Sequence, residues 1–262
     1  MRRGDIFWGG ILVILGGLFL LQANGMLSDV FGWFWPLFLV LLGAWILAGR
    51  FLPGWASDRG EQFSIDLQGA TQLALEFDHG AGSVHVGGGA PAGVAVTGTQ
   101  ASGMDMKSHL VGDKLEVKID AGPTFIPFLG PDSGTWNFKL NQDVPLTLDV
   151  DAGASHMEFD LTDLKVTHIS VDTGASSLQI KLPARAGNTL VDIESGAANL
   201  DLNIPQGVAA RLRVRQGASS IDIDQTRFPL RDGGLYQSAD YDVAANKVEI
   251  NLDGGANTLK VR

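Results

Sequence analysis

The sequence predicts an all-β protein, a right-handed β-solenoid with about 21 residues per coil, preceded by an α-helical transmembrane hairpin. Two observations predict the solenoid: a Gly-Ala dipeptide recurs at a nearly constant spacing, and apolar residues alternate with polar residues on both sides of it. A third observation, two long uncharged stretches at the N-terminus, predicts the hairpin. We therefore expect two domains, the hairpin in residues 1–58 and the solenoid in residues 59–262.

Six Gly-Ala pairs share the same flanking pattern along the predicted solenoid. They begin at Gly80, Gly153, Gly174, Gly196, Gly217 and Gly255. The four pairs from residue 153 to residue 217 lie 21, 22 and 21 residues apart. A turn of this length accommodates three short strands and three corners. Glycine suits a corner because it accepts a positive φ or the close approach of another backbone.

The residues around each pair alternate as they do in half-buried β-strands. Apolar residues occupy all twenty-four positions that lie five and three before, or four and six after, the six glycines. This period-2 pattern predicts a strand, a corner, a second strand and a return segment in each unit. Parallel crossovers are right-handed as a rule, which gives the predicted hand. An antiparallel sandwich is the alternative, since short regular strands also build sandwiches.

The N-terminal stretches Ile6–Ser28 and Val30–Gly49 contain no charged residue. Each supplies close to the ~20 apolar residues that span a bilayer, so we expect two transmembrane helices that contact the lipid bilayer through residues 6–49. A cleaved signal peptide is the competing interpretation of the first stretch. The basic residues Arg2, Arg3, Arg50 and Arg59 flank the hairpin. The positive-inside rule then predicts a multi-pass membrane protein with a cytoplasmic solenoid.

The charge of the chain excludes one class of partner. The formal net charge is −10, and all of the excess acid lies after the hairpin. Nucleic-acid binding requires a basic face, so no nucleic-acid partner is expected. The chain has no cysteine.

An acidic ladder is the first candidate for chemistry. The residues two before each glycine are Asp78, Asp151, Asp172, Glu194, Arg215 and Asp253. In coils stacked in chain order they would form an acidic ladder interrupted by an arginine, which could bind cations or simply consist of solvated corner residues. The five histidines show no zinc-like spacing, and no G-x-S-x-G motif occurs. We therefore expect no catalytic residues, no metal and no cofactor.

A proline-bounded apolar segment interrupts the repeat between the first two Gly-Ala pairs. It runs from residue 123 to residue 136 and contains the candidate partner-contact residues Phe125, Ile126, Phe128, Leu129 and Trp136. An exposed apolar patch of this kind is typical of a contact surface. The alternative is a cap over the end of the solenoid, which repeat arrays require.

Several motifs identify a family resemblance. The hairpin sequences Gly9–Gly17 and Trp35–Gly43 resemble the LiaI/LiaF-like transmembrane region. The segments Val144–Ala154, Val171–Ala175 and Tyr236–Tyr241 resemble the toast-rack β-solenoid of LiaF-like, cell-wall-active antibiotic response proteins and of related adhesin-type domains. The resemblance implies a non-enzymatic protein of the bacterial inner membrane that takes part in envelope stress signalling. It also implies contact with a membrane histidine kinase or another envelope protein.

Three functional hypotheses follow, in order of preference. The first is a membrane-anchored regulatory or scaffold protein that acts by protein–protein contact. The second is a self-associating structural or adhesin-like solenoid. The third is a carbohydrate-active enzyme, which would require two carboxyl groups close together in a groove.

Overall fold

A computed structural model of the protein describes residues 3–25, 32, 34–36, 38–40, 61–100, 104–121, 135–217 and 220–262. The chain divides into two compact units, Met1–Asp58 and Arg59–Arg262. In the first unit, helix α1 spans Arg3–Ala23. The second unit is built from β-strands.

The first unit contradicts the prediction of a transmembrane hairpin and of a multi-pass membrane location. Among the described residues, no helix combines the length and the apolar character needed to cross a membrane. The strictly apolar run of α1, residues 6–21, would be roughly 24 Å long at ~1.5 Å per residue. The hydrocarbon core of a bilayer is ~30 Å thick. Most of the second predicted helix, residues 30–49, lies outside the described residues.

Fifteen strands form one sheet in the described part of the second unit. The first eight are β1 Glu61–Asp66, β2 Gln72–Gly88, β3 Val94–Gln100, β4 Met104–Val111, β5 Lys114–Ala121, β6 Thr135–Leu140, β7 Leu146–Asp160 and β8 Val166–Lys181. The others are β9 Asn188–Asn203, β10 Ala209–Gln216, β11 Ser220–Ile223, β12 Leu230–Asp232, β13 Leu235–Gln237, β14 Lys247–Gly254 and β15 Thr258–Val261. The longest strands, β2, β7, β8 and β9, each run through one Gly-Ala pair.

The long strands stack in parallel as rungs, where a rung consists of the two strand segments on either side of one corner. The order along the stack is β5 with β6, then β2, β7, β8, β9, then β14 with β15, and finally β10 with β11. Every pairing between these rungs is parallel, which rules out the antiparallel sandwich. The predicted arrangement of stacked coils is therefore confirmed at this level.

The rung order departs from chain order at both ends: the rung of β5 and β6 lies outside that of β2, which precedes it in the chain, and the last two rungs are exchanged. β14 pairs with β9 on one side and with β10 on the other, so the last rung of the chain lies between its two predecessors. The residues between β11 and β14 carry the chain past the end rung, and within them β12 and β13 form a small antiparallel pair. β13 also pairs antiparallel with β10. The expectation that the Gly-Ala coils stack in chain order is therefore wrong for the last two rungs.

The twenty-four apolar positions of the repeat form the core, with two exceptions. Twenty-two of them are 7% exposed or less. Val214 is half-buried and Ile221 is 44% exposed, and both belong to the end rung of β10 and β11. Side chains of adjacent rungs fill the interior, so the described stack has a packed apolar column rather than a lumen.

Five of the six corner glycines are explained by close backbone approach, whereas a Cβ added to Gly80 would meet no neighbour within 4 Å. None of the six has a positive φ. A Cβ added to Gly153 would lie 2.5 Å from the carbonyl oxygen of Gly80. A Cβ on Gly174, Gly196, Gly255 or Gly217 would lie 3.0, 2.9, 2.6 or 3.1 Å from the carbonyl oxygen of the corner glycine in the neighbouring rung. An alanine at position 153, 196 or 255 would collide with the backbone of the neighbouring rung, and one at position 174 or 217 would require that backbone to move by a few tenths of an ångström.

The two ends of the stack are bordered by different numbers of additional strands. At the first end, β4 pairs antiparallel with β5, and β3 pairs antiparallel with β6 and with β1. At the other end, the β12–β13 pair borders β10, whereas β11 pairs with β15 alone among the described residues. One end is therefore bordered by strands on both segments of its rung, and the other on only one.

Candidate functional surfaces

The predicted contact segment is only partly described. Phe125, Ile126, Phe128 and Leu129 lie outside the described residues, so their role as a partner contact stays a prediction. Trp136 opens strand β6 and is 4% exposed. In parallel register it lies beside Val84, which places it in the apolar column. The indole belongs to the core and offers no exposed ring to a partner.

Trp136 packs against an unusual buried histidine. The ring centroids of His79 and Trp136 are 4.4 Å apart, with the rings edge to face. His79 is 3% exposed, and neither of its ring nitrogens has a hydrogen-bond partner among the described residues. Burial lowers the pKa of His79, and the charge of the adjacent Asp78 offsets only part of this shift. The lowered pKa favours the neutral imidazole in the folded protein at neutral pH.

The acidic ladder exists, but its composition differs from the expected one. In stack order the register aligns Asp120, Asp78, Asp151, Asp172, Glu194 and Asp253. Arg215 follows Asp253 at the end instead of interrupting the acids, because the C-terminal rung is inserted before it. The Arg215 Nη1 and Asp253 Oδ2 atoms are 3.8 Å apart. We call the six aligned acids the acidic column.

The acidic column is a surface feature rather than a metal site. Five of its six members are exposed, and Asp120 is half-buried. Adjacent members lie one strand spacing apart, about 4.8 Å. Among the residues that the structure describes, no group of three or more His, Cys, Asp or Glu side chains could hold a metal ion. The column therefore presents a line of negative charge to the solvent.

A second surface, the polar trough, lies on the outward face of the strand segments that follow the corner. It encloses about 630 Å³ and is lined by residues from β1, β2, β3, β6, β7 and β8. Its polar side chains are those of Gln62, His85, Thr97, Thr99, Asn137, Lys139, Glu158, Asp160, Gln179 and Lys181. Since strand residues alternate between faces, these residues project outward while their neighbours fill the core.

Two ion-pair groups occupy the trough and its rim. Glu158 accepts contacts from His85 Nδ1 and from His156 Nε2, each at 3.0 Å. The hydrogen bond with His156 is the main reason that the pKa of Glu158 is lowered. Asp160 lies 2.8 Å from Lys181 Nζ, and the hydrogen bond between them lowers the pKa of Asp160 and raises that of Lys181. Both carboxyl groups are therefore ionised at neutral pH.

Sequence reasoning missed the contact between His85 and Glu158, although a signal was present. Each of the two residues stands five positions after the glycine of its own Gly-Ala pair. The register places them side by side on β2 and β7. Aligning the polar residues on the glycines, as was done for the apolar residues, would have predicted this pair.

Comparisons with known proteins support the architecture. The chain matches the N-terminal domain of toast_rack, DUF2154, over residues 55–203. The crystal structure of a putative cell adhesion protein from Clostridium sporogenes superimposes with a TM-score of 0.70 at 18% identity, covering 78% of this chain and 99% of that one. At this identity the likeness shows the fold alone. A putative adhesin from Bacteroides fragilis covers 79% of this chain and 99% of its own at 9% identity, but its TM-score of 0.29 supports no argument.

A comparison with curated proteins finds no match. The toast-rack match runs through the rungs of β2, β7, β8 and β9 and covers more than half of the chain. Its residues form four rungs of the parallel stack and include four of the six corner glycines, Gly80, Gly153, Gly174 and Gly196. The chain therefore belongs to the toast-rack family.

Proposed function

We propose that the toast-rack unit is a non-enzymatic contact module that acts in the bacterial response to cell-envelope stress, as the LiaF-like resemblance implies. One observation carries this proposal: the interior of the described stack is filled by apolar side chains, while its polar residues stand outward in straight columns. Such a stack offers a long, regular surface, which is how repeat proteins bind their partners. The partner we favour is a sensor histidine kinase or another envelope protein.

The electrostatics of the polar trough support a contact role over catalysis. A glycosidase requires one carboxyl group that is held protonated to act as general acid. The pKa values of Glu158 and Asp160 are both shifted downward, so neither group is suited to that role at neutral pH. A paired, ionised carboxylate is instead typical of a surface that forms ion pairs and hydrogen bonds.

The acidic column supplies the charge that a contact would use. A line of carboxylates attracts a partner with a complementary basic surface and accelerates its association. Reversing the charge of two column members, Asp151→Lys with Asp172→Lys, would weaken such a contact. Both side chains are exposed, so the substitutions should leave the fold intact.

The test is co-purification of the full chain with the sensor kinase from the native bacterium, read by quantitative mass spectrometry. The wild-type chain should retain the kinase or another envelope protein, and the column variant should retain roughly tenfold less. The matched control is Asp163→Lys with Asp201→Lys, which makes the same change in net charge outside the column and should behave as the wild type. Retention of no envelope protein by the wild-type chain would reject the contact role.

A further inference from the structure

We propose that strand β11 is a strand-addition site, which binds an extended peptide of a partner protein whose apolar and basic side chains alternate. The inference rests on the proposed contact role and names a further surface, beside the acidic column, that takes part in it. It is carried by three features of the end rung: exposed core positions, unpaired backbone groups, and an acidic side chain in the middle of the strand.

The end rung exposes positions that every other rung buries. The residues four after the corner glycine stack in one column, and those of the preceding rungs, from Val84 to Leu259, are 2% exposed or less. Ile221 occupies this position in β11 and is 44% exposed. At the opposite end of the stack, Trp136 holds the equivalent place and is 4% exposed, in a strand that β3 borders from Phe138 to Leu140. Among the residues that the structure describes, no strand borders the open side of β11, and Ile221 is left exposed.

Within the described part of the chain, the backbone of β11 is paired on one side only. Ser220 donates its N–H to Asn257 across a distance of 3.0 Å, and Asp224 donates to Val261 across 3.1 Å. Successive residues of a strand point their N–H and C=O groups to opposite sides, so those of Ile221 and Ile223 point away from β15. No described strand lies on that side. Two donors and two acceptors are thus available to an added strand.

The charge of β11 specifies the side chains of the added strand. Asp222 lies between the two isoleucines and points outward. In the existing pairing with β15 its neighbour is Lys260, so the occupied edge already sets a basic residue beside this acid. A strand on the open edge faces the same Asp222 from the other side. A basic residue there, flanked by apolar residues beside Ile221 and Ile223, complements the edge.

The size of the edge favours a peptide over a second copy of this chain. β11 has four residues and is roughly 13 Å long at ~3.3 Å per residue. A stable protein–protein interface buries about 1,200–2,000 Å², far more than a four-residue edge provides. Strand addition can use so short an edge because main-chain hydrogen bonds supply affinity and alternate side chains supply specificity.

The experiment measures fluorescence anisotropy of the labelled peptide Gly-Val-Lys-Val-Lys-Val-Gly titrated with the full chain up to about 1 mM. The wild-type protein should bind it roughly tenfold more tightly than the peptide Gly-Val-Glu-Val-Glu-Val-Gly. Asp222→Lys should reverse this preference. The matched control is Asp201→Lys, which removes the equivalent acid from β9 inside the stack and should leave the preference unchanged.

Backbone pairing is tested separately from charge. Methylation of alternate backbone nitrogens along the edge that faces β11 should abolish binding, because it removes the donors to Ile221 and Ile223. Equal binding of the two peptides, no binding at the highest concentration, or sedimentation of the chain as a dimer that Ile221→Glu dissociates would each overturn the proposal. If the peptides fail while the envelope partner still co-purifies, the edge is rejected and the contact role stands.

Discussion

Replacing the corner glycines with alanine should destabilise the stack in proportion to the closeness of the neighbouring rung. The added Cβ would lie 2.5 Å from a backbone oxygen in Gly153→Ala and 2.6 Å in Gly255→Ala, but 3.0 Å in Gly174→Ala and 3.1 Å in Gly217→Ala. The first two variants should therefore be the less stable. In each case the obstacle is a carbonyl of the next backbone, which cannot rotate away as a side chain could.

The magnitude follows from the overlap. Ordinary contact begins at 3.4 Å, so Gly153→Ala falls 0.9 Å short of it and Gly217→Ala only 0.3 Å. Forcing extra methyl groups into a packed structure costs about 1–3 kcal/mol. We expect about 3 kcal/mol for Gly153→Ala and about 1 kcal/mol for Gly217→Ala. For a unit of this size, each kcal/mol lowers Tm by about 2–4 °C.

Thermal and urea unfolding of the full chain, followed by circular dichroism, measure these differences. The control is Gly87→Ala in β2, where the added Cβ would meet its nearest neighbour at an ordinary 3.8 Å. That variant should match the wild type or exceed it slightly, because alanine reduces the entropy of the unfolded chain. If Gly153→Ala is as stable as Gly87→Ala, the corner glycines are not there to allow close stacking.

Three further predictions concern single side chains. Burial lowers the pKa of His79, so the unfolded chain binds a proton near pH 6.5 that the folded chain does not. The free energy of unfolding should therefore fall as the pH drops from 7.5 to 5, and it should fall less steeply in His79→Leu. Urea unfolding at several pH values measures this dependence. The same pH dependence in both proteins would contradict the lowered pKa of His79. Trp136→Ala should lower the free energy of unfolding in urea by about 3–5 kcal/mol, because the indole belongs to the core. An unchanged urea midpoint would show that the indole is not part of the core. Lys181→Met should raise the pKa of Asp160 toward its ordinary value in an NMR titration, because it removes the hydrogen bond that lowers that pKa; an unmoved pKa would refute the pairing.

The periodic part of the fold was predictable because each rung repeats the same local physics. Alternation identified the buried face of the strands, and twenty-two of the twenty-four assigned positions are buried. The glycines were predicted to stand at corners, but the sequence left open whether a positive φ or close approach required them. A Cβ added at Gly153 or Gly255 would lie too close to the carbonyl oxygen of the neighbouring rung, which identifies close approach as the reason.

The rung order could not be derived from the pattern. Every rung has the same sequence of apolar and polar positions, so β14 is compatible with β9 and with β10 alike. The charges do not decide it, because Arg215 would form a favourable neighbour to Glu194 as well as to Asp253. The long excursion before β14 was visible in the sequence, but nothing in it indicates on which side of β10 the chain returns.

The surfaces were predictable only in part. Five of the six acids in the column were expected, since they share one position in the repeat, whereas Asp120 comes from the rung of β5 and β6, which was not recognised as part of the repeat. Trp136 was grouped with the proline-bounded segment as a candidate partner contact, with a cap as the alternative, yet Trp136, Phe138 and Leu140 alternate with polar residues as a half-buried strand does. The transmembrane prediction relied on the lack of charge in the N-terminal stretches. The length of the strictly apolar run, residues 6–21, already argued against a helix that crosses the membrane.

The arrangement of the last three rungs is tested most directly by disulfide trapping, because the chain contains no native cysteine. Glu194 is in parallel register with Asp253, whereas Arg215 lies one rung further away. We expect the double variant Glu194→Cys with Asp253→Cys to form an intramolecular disulfide under mild oxidation, since adjacent strands bring Cα atoms within the ~4.4–6.8 Å that a disulfide spans. Glu194→Cys with Arg215→Cys should remain reduced. The opposite result, a disulfide between positions 194 and 215 and none between 194 and 253, would show that the rungs stack in chain order and would contradict the account.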